Sequence, residues 1–191
     1  MSTLFDSIRV GNMELDNRII MAPMTRNRAS DDGVQPAVSM SAYGTWVTTP
    51  ARAASDHARL SELLSRSSVM IQRFLPEVQR RGEWSFVFFM KEYSQAVLKM
   101  PKPGDFRVQR DFGGSLAKSA PPRRLIEQAQ EIIRCVEDPL LYARVDAVEV
   151  GDELVLMELE LIDPVLFLGS GPGAARRFAD TIEMVARRIN L

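Results

Sequence analysis

The segment "LYARVDAVEVGDELVLMELELIDP", residues 141–164, restricts the fold more than any other part of this chain. It holds two stretches of alternating side chains separated by Gly151-Asp152-Glu153, the pattern of an antiparallel hairpin. A side-chain period of two puts Glu158 and Glu160 on one face of the second strand, and Met157, Leu159 and Leu161 on the other. On the first strand Tyr142, Arg144 and Asp146 share a face. A three-residue loop, Gly151-Asp152-Glu153, would pair Val150 with Leu154. Asp146 then stands opposite Glu158, and Arg144 opposite Glu160.

The rest of the chain repeats this mixture of hairpins and helices. "IRVGNMEL", residues 8–15, reads as a small hairpin turning at Gly11-Asn12, and "RIIMA" as a strand stopped by Pro23. Polar residues 25–35 lack periodicity and read as a loop and domain boundary. "AVSMSAYGTW" reads as a strand entering a small-residue turn. Residues 51–66 read as a helix with Ala53, Leu60, Leu63 and Leu64 inward, and "VMIQRFL" as a strand ended by Pro76. "WSFVFFM" and "YSQAVLK" form a hairpin turning at Lys91-Glu92, and a loop spans 100–121. A helix opens at Pro121-Pro122, with Leu125, Ala129, Ile132 and Val136 inward. The last helix runs from Pro172, with Ala175, Phe178, Ile182, Val185 and Ile189 inward. Interleaved antiparallel hairpins and helices make an α+β domain, not a series of βαβ units.

Like charges facing each other across a sheet repel unless compensated. Asp146, Glu158 and Glu160 therefore leave two readings open. One is a solvated face on which Arg144 neutralises a neighbour, and the other is a site for a divalent cation with oxygen ligands. "LKMPKPGDFRVQRDFGGS", residues 98–115, adds Lys99, Lys102, Arg107 and Arg110 beside Gly113-Gly114. This is either a solvated turn or a polyphosphate-binding loop without the Walker A order. The balance of 24 basic and 25 acidic residues argues against partners recruited by bulk charge, nucleic acid and anionic membrane included. With Cys135 as sole cysteine there is no internal disulfide, and no signal pattern or 18-residue apolar run occurs. A cytoplasmic protein is the expectation. His57 and Cys135 read as packing or surface residues, Cys135 as buried.

In order and spacing, "EYSQAVLK", "GDFRVQ", "YARVD" and "LMELEL" resemble the C-terminal part of ATP-grasp ligases, in the glutathione-synthetase and ribosomal-protein glutamate-ligase branch. The resemblance covers residues 36–191 and implies a partial ATP-grasp fold without the family's preceding part. It further implies ATP with Mg²⁺ or Mn²⁺, a small-molecule carboxylate substrate, and ligation to an amine or related nucleophile through an acyl-phosphate. Carried across residue by residue, it makes Asp146, Glu158 and Glu160 metal ligands, with Glu160 standing where many members have Asn. Gln72, Phe74 and Leu75 become adenine contacts and Glu83 a ribose contact. Lys99 becomes a phosphate contact, and Arg107 a catalytic cation for phosphate or acyl-phosphate. Where the family has Lys before "PAVS" this chain has Gln35, so weak turnover is expected of it.

Residues 1–34 resemble something else. "LFDSIRVGNMELDNRIIMAPMTRNRA" is similar to the N-terminus of the old yellow enzyme family, in which Pro23, Met24 and Thr25 would line FMN. The likeness stops near Gly33. A (β/α)₈ barrel needs about 250 residues, so one strand of it is not expected to hold a flavin. The expected organisation is a flavoenzyme-like stub at 1–34 and a nucleotide- and metal-binding domain at 35–191. Alternatives are a non-catalytic interaction domain and an FMN-dependent oxidoreductase fragment, and self-association through an exposed domain edge is a further expectation.

Overall fold

The computed structural model describes residues 8–10, 13–15, 46–49, 51–66, 73–117 and 119–188. The chain divides into two compact units, Ala22–Leu75 and Met1–Met21 with Pro76–Leu191. The expected strand "AVSMSAYGTW" up to Thr45, Gln35, Gln72 and the flavin-like residues Pro23, Met24 and Thr25 lie outside the described residues.

In the unit Ala22–Leu75 the described structure is helix α1, Ala53–Leu64. Thr48 Oγ1 donates to Asp56 Oδ2 at 2.6 Å at its first turn, and the Arg59 guanidinium lies 4.2 Å from the centre of the Trp46 ring. Leu60 and Leu63 are half-buried as expected, but Leu64 is 56% exposed and leaves the inward stripe. His57 is exposed. Residues 73–75 are without regular structure instead of ending a strand.

The other unit opens with a two-stranded sheet, β1 (Ile8–Val10) and β2 (Met13–Leu15). Val10 pairs with Met13 there, and the expected turn residues Gly11 and Asn12 lie outside the described residues. After the short helix α2 (Glu77–Arg81) come β3 (Glu83–Phe89) and β4 (Glu92–Met100). A 3₁₀ turn at Arg110–Phe112 and a short strand β5 (Ser115–Ala117) follow, the latter unforeseen inside the basic loop. Helix α3 (Arg123–Arg134), the hairpin β6 (Tyr142–Val150) and β7 (Glu153–Glu160), and helix α4 (Ala174–Arg188) complete the unit. The sheet order is β5-β4-β3-β6-β7, and every pairing is antiparallel.

The sheet has two unlike faces. One carries Trp84, Phe86 and Phe88 of β3, Ala143, Val145 and Ala147 of β6, and Leu156 of β7. It packs on Leu125, Ala129, Ile132 and Ile133 of α3 to form the core. Fully burying a side chain the size of Phe86 stabilises by about 1.5–3 kcal/mol. The helix spacing is as expected, except that Ile133 takes the place assigned to Val136, and Cys135, just past the helix end, is exposed, not buried. The inward stripe of α4 keeps Phe178 and Val185, both half-buried, but departs from expectation at two positions. Ala174 and Thr181 are buried, and Ala175 and Ile182 are exposed. Ile189 lies outside the described residues.

The β3–β4 turn is Met90-Lys91, not Lys91-Glu92, since Phe89 pairs with Glu92. Both turn residues have positive φ, 47° and 67°, as a two-residue type I′ turn demands. Surrounding contacts hold this unfavourable backbone. Met90 N–H donates to Leu141 O at 3.1 Å, and Lys91 Nζ donates to the carbonyls of Val136 and Glu137 at the end of α3. A cation there also suits the negative end of the helix.

The β6–β7 hairpin reaches the expected carboxylate pairing by another route. Its turn has two residues, because Val150 pairs with Glu153 and Ala147 with Leu156. A bulge then shifts the register, and beyond it Asp146 faces Glu158 and Arg144 faces Glu160. The bulge also reverses the alternation of β7. Leu154 and Leu156 precede it and Leu159 and Leu161 follow it, yet all four pack on the core. Met157 stands at the bulge instead of sharing a regular face with Leu159 and Leu161.

Candidate metal and phosphate site

The second face of the sheet is polar. Glu83 and Ser85 on β3, Lys99 on β4, Arg144 and Asp146 on β6, and Glu158 and Glu160 on β7 line up across four strands. Asp146 is the centre and only 1% exposed. Its Oδ1 accepts from Ser85 Oγ at 2.6 Å and Arg144 Nε at 2.9 Å. Its Oδ2 accepts from Arg144 Nη2 at 2.8 Å and Lys99 Nζ at 3.0 Å. Burial opposes the charge of Asp146, but Lys99, Arg144 and the Ser85 hydroxyl outweigh it and hold the carboxyl below its ordinary value.

Lys99 reaches Glu83 as well, with Nζ 2.5 Å from Oε1. Burial pushes the Lys99 ammonium toward neutrality, yet Asp146 and Glu83 raise its pKa above the usual lysine value. Glu83 is pushed up by burial and pulled back by Lys99. On the far side Arg144 also donates to Glu160. Glu158 is the least compensated member. Burial first, then the charges of Glu160 and Asp146, push it up to about 8. Burial also raises Glu160, against the pull of Arg144.

Four carboxyl groups thus face two cations in a largely dehydrated cluster, and with all four ionised the cluster would carry two uncompensated negative charges, which is why Glu158 is raised. Asp146, Glu158 and Glu160 each offer an oxygen within 4.8 Å of the others'. Hard cations such as Mg²⁺ bind oxygen at about 2.1 Å and favour carboxylates. The donor chemistry and the charge deficit both fit one divalent cation. Arg144, bonded to Asp146 and Glu160, already supplies one positive charge to the same group.

Five expected site residues, Glu83, Lys99, Asp146, Glu158 and Glu160, are thereby brought together. Arg107 sits in the loop between β4 and β5, clamped by Asp105 through Nε at 3.0 Å and Nη2 at 2.7 Å, with its guanidinium 3.8 Å from the centre of the Phe112 ring. Arg107 hydrogen bonds, with the Asp105 contacts to backbone N–H groups, hold the Asp105 carboxyl well below its ordinary range. Gly114 lets the loop close, since a Cβ there would lie 2.0 Å from Val108 O. Phe74 and Leu75 are half-buried in the other unit. Ser85 was not foreseen. It meets Asp146 through the β3–β6 pairing, which joins strands distant in sequence and leaves no local signal.

The crystal structure of D-cycloserine synthetase DcsG matches 69% of this chain and 48% of its own, at TM-score 0.52 and 27% identity. The fold is a partial ATP-grasp α+β fold. This chain spans about half the length of that relative. A D-alanine–D-alanine ligase from Bacillus anthracis, solved in complex with ATP, matches 56% of this chain and 38% of its own, with TM-score 0.42 and 18% identity. The front of the chain is similar to other proteins. Residues 3–47 match the NADH:flavin oxidoreductase / NADH oxidase family, running on past Gly33, where the sequence likeness was expected to stop. Chanoclavine-I aldehyde reductase fgaOx3 of Penicillium roqueforti (strain FM164) is 48% identical over 50 residues, 26% of this chain and 14% of its own length. Among the described residues no helix is long and apolar enough to cross a membrane.

Proposed function

We propose that the unit bearing the five-stranded sheet binds ATP and a divalent cation, Mg²⁺ or Mn²⁺, as part of a carboxylate–amine ligase working through an acyl-phosphate. The observation that carries this reading is the grouping of Asp146, Glu158 and Glu160 oxygens within 4.8 Å of one another beside Lys99 and Arg144, where a divalent ion would balance the charge of the fully ionised cluster. The likeness to D-cycloserine synthetase supports it.

In this reading Asp146, Glu158 and Glu160 hold the cation, which neutralises phosphate charge during transfer. Lys99 directs its ammonium at a phosphate oxygen, and Arg144 keeps Asp146 and Glu160 oriented and ionised. Arg107, fixed by Asp105, presents a cation at the mouth of the loop that would meet the transferred group. A cytoplasmic setting, with a soluble carboxylate and amine as partners, belongs to this reading.

A non-hydrolysable ATP analogue with Mg²⁺ is expected to raise the unfolding midpoint. At a ligand concentration about 100 times Kd the gain is roughly 2.7 kcal/mol. Glu158→Ala is expected to abolish that shift, and no shift in the unaltered chain overturns the reading. A second reading, an interaction domain that keeps the fold without turnover, draws on Asp146, whose two oxygens are already engaged by Arg144, Ser85 and Lys99. Absence of any nucleotide or Mg²⁺ shift favours it. An FMN-dependent oxidoreductase fragment draws on the match over residues 3–47 alone.

A further inference from the structure

Resting on the nucleotide-site reading above, we propose that Glu83 is a positioning residue for Lys99 and does not hold the ribose. Glu83 and Lys99 are direct partners across the β3–β4 ladder, so the backbone register itself sets them face to face. Gly82 fixes that register. It has φ 79°, and a Cβ there would lie 2.5 Å from Lys99 O, so the chain before Glu83 runs directly against the backbone of Lys99. The side chains then meet at 2.5 Å, and both are largely withdrawn from water, at 12% and 13% exposure.

An ammonium has three N–H donors. Glu83 takes one and Asp146 a second, which aims the third at a ligand. Without Glu83, Lys99 would be held from one side only, by the carboxylate that is also to hold the cation. Glu83 thus supplies the second anchor, which stays in place when a cation competes for Asp146. A ribose hydroxyl on Glu83 would have only the oxygen that Lys99 leaves, Oε2, on a side chain just 12% exposed.

The test compares binding of Mg²⁺-ATP with Mg²⁺-dideoxy-ATP, which lacks both ribose hydroxyls, in the full chain and in Glu83→Gln, Lys99→Met and the double variant. Positioning predicts that Glu83→Gln weakens both nucleotides alike, by about tenfold, and that the loss disappears in the Lys99→Met background. A loss confined to ATP, or one that persists undiminished beside Lys99→Met, overturns the proposal and leaves the nucleotide site standing. Failure of the unaltered chain to bind either nucleotide overturns the nucleotide-site reading itself, and the proposal with it. If Glu83→Gln does not fold, Glu83→Asp carries the comparison, since it keeps the charge but retracts it from Lys99.

Discussion

Glu158 is the residue at which the charge imbalance of the polar face is most acute. It is raised to about 8 chiefly by burial and by Glu160, while Arg144 is turned to Asp146 and Glu160. Glu158→Gln is expected to stabilise the metal-free chain by about 1 kcal/mol, a rise of a few degrees in the melting temperature, and to remove stabilisation by Mg²⁺. Calorimetry with and without Mg²⁺ reads both effects. Asp105 behaves oppositely, because its carboxyl is depressed by Arg107. A depressed carboxyl stabilises above its unfolded pKa, and that contribution disappears as pH falls through the lower folded value. The 101–114 loop should therefore stay protease-resistant at neutral pH and become cleavable in acid. Asp105→Asn should make it cleavable at every pH. The grouping of Asp146, Glu158 and Glu160 was legible in the sequence because Glu158 and Glu160 keep the period of two beyond the bulge and the residue count from Asp146 is the same with or without it. Ser85 was not, and neither was the part Glu83 plays beside Lys99, since both depend on which strands become neighbours.

Among the elements, β3 and its turn carry the clearest consequences. β3 is buried along its whole length, between the core on one side and the charged row on the other. Phe86→Ala is expected to cost about 3–5 kcal/mol in urea unfolding, enough to unfold much of the sheet unit. The Met90-Lys91 turn stores strain in two non-glycine residues at positive φ. Met90→Asn, better suited to that backbone, is expected to gain about 0.5–1 kcal/mol in the same measurement. Helices α3 and α4 were legible as elements from apolar spacing, and Phe178 and Val185 of α4 were placed correctly, but Ala175 and Ile182 were not. Ile182 signals burial more strongly than Thr181, yet Thr181 satisfies its hydroxyl on Arg177 O at 2.7 Å and is the buried one. Strand β5 left no periodic signal because three residues are too few to show one.

For the molecule as a whole, two likenesses meet within one chain. The carboxylate and cation cluster lies entirely inside 83–160, so it does not call on the flavoenzyme-like front. Purified protein is expected to be colourless, without the yellow absorbance of bound flavin, while still responding to Mg²⁺ and an ATP analogue. A yellow protein that keeps its colour through dialysis would reverse that order of importance.

The bulge in β7 has a consequence for how this hairpin can change over generations. A two-residue turn with one surplus residue downstream, and a three-residue turn with none, deliver the same facing of Asp146 and Glu158. The surplus residue can therefore migrate between the loop tip and Met157 without moving the carboxylates. Hairpins of this kind can differ in loop length at the tip and still set the same carboxylates face to face, provided that the total count between the acids is kept.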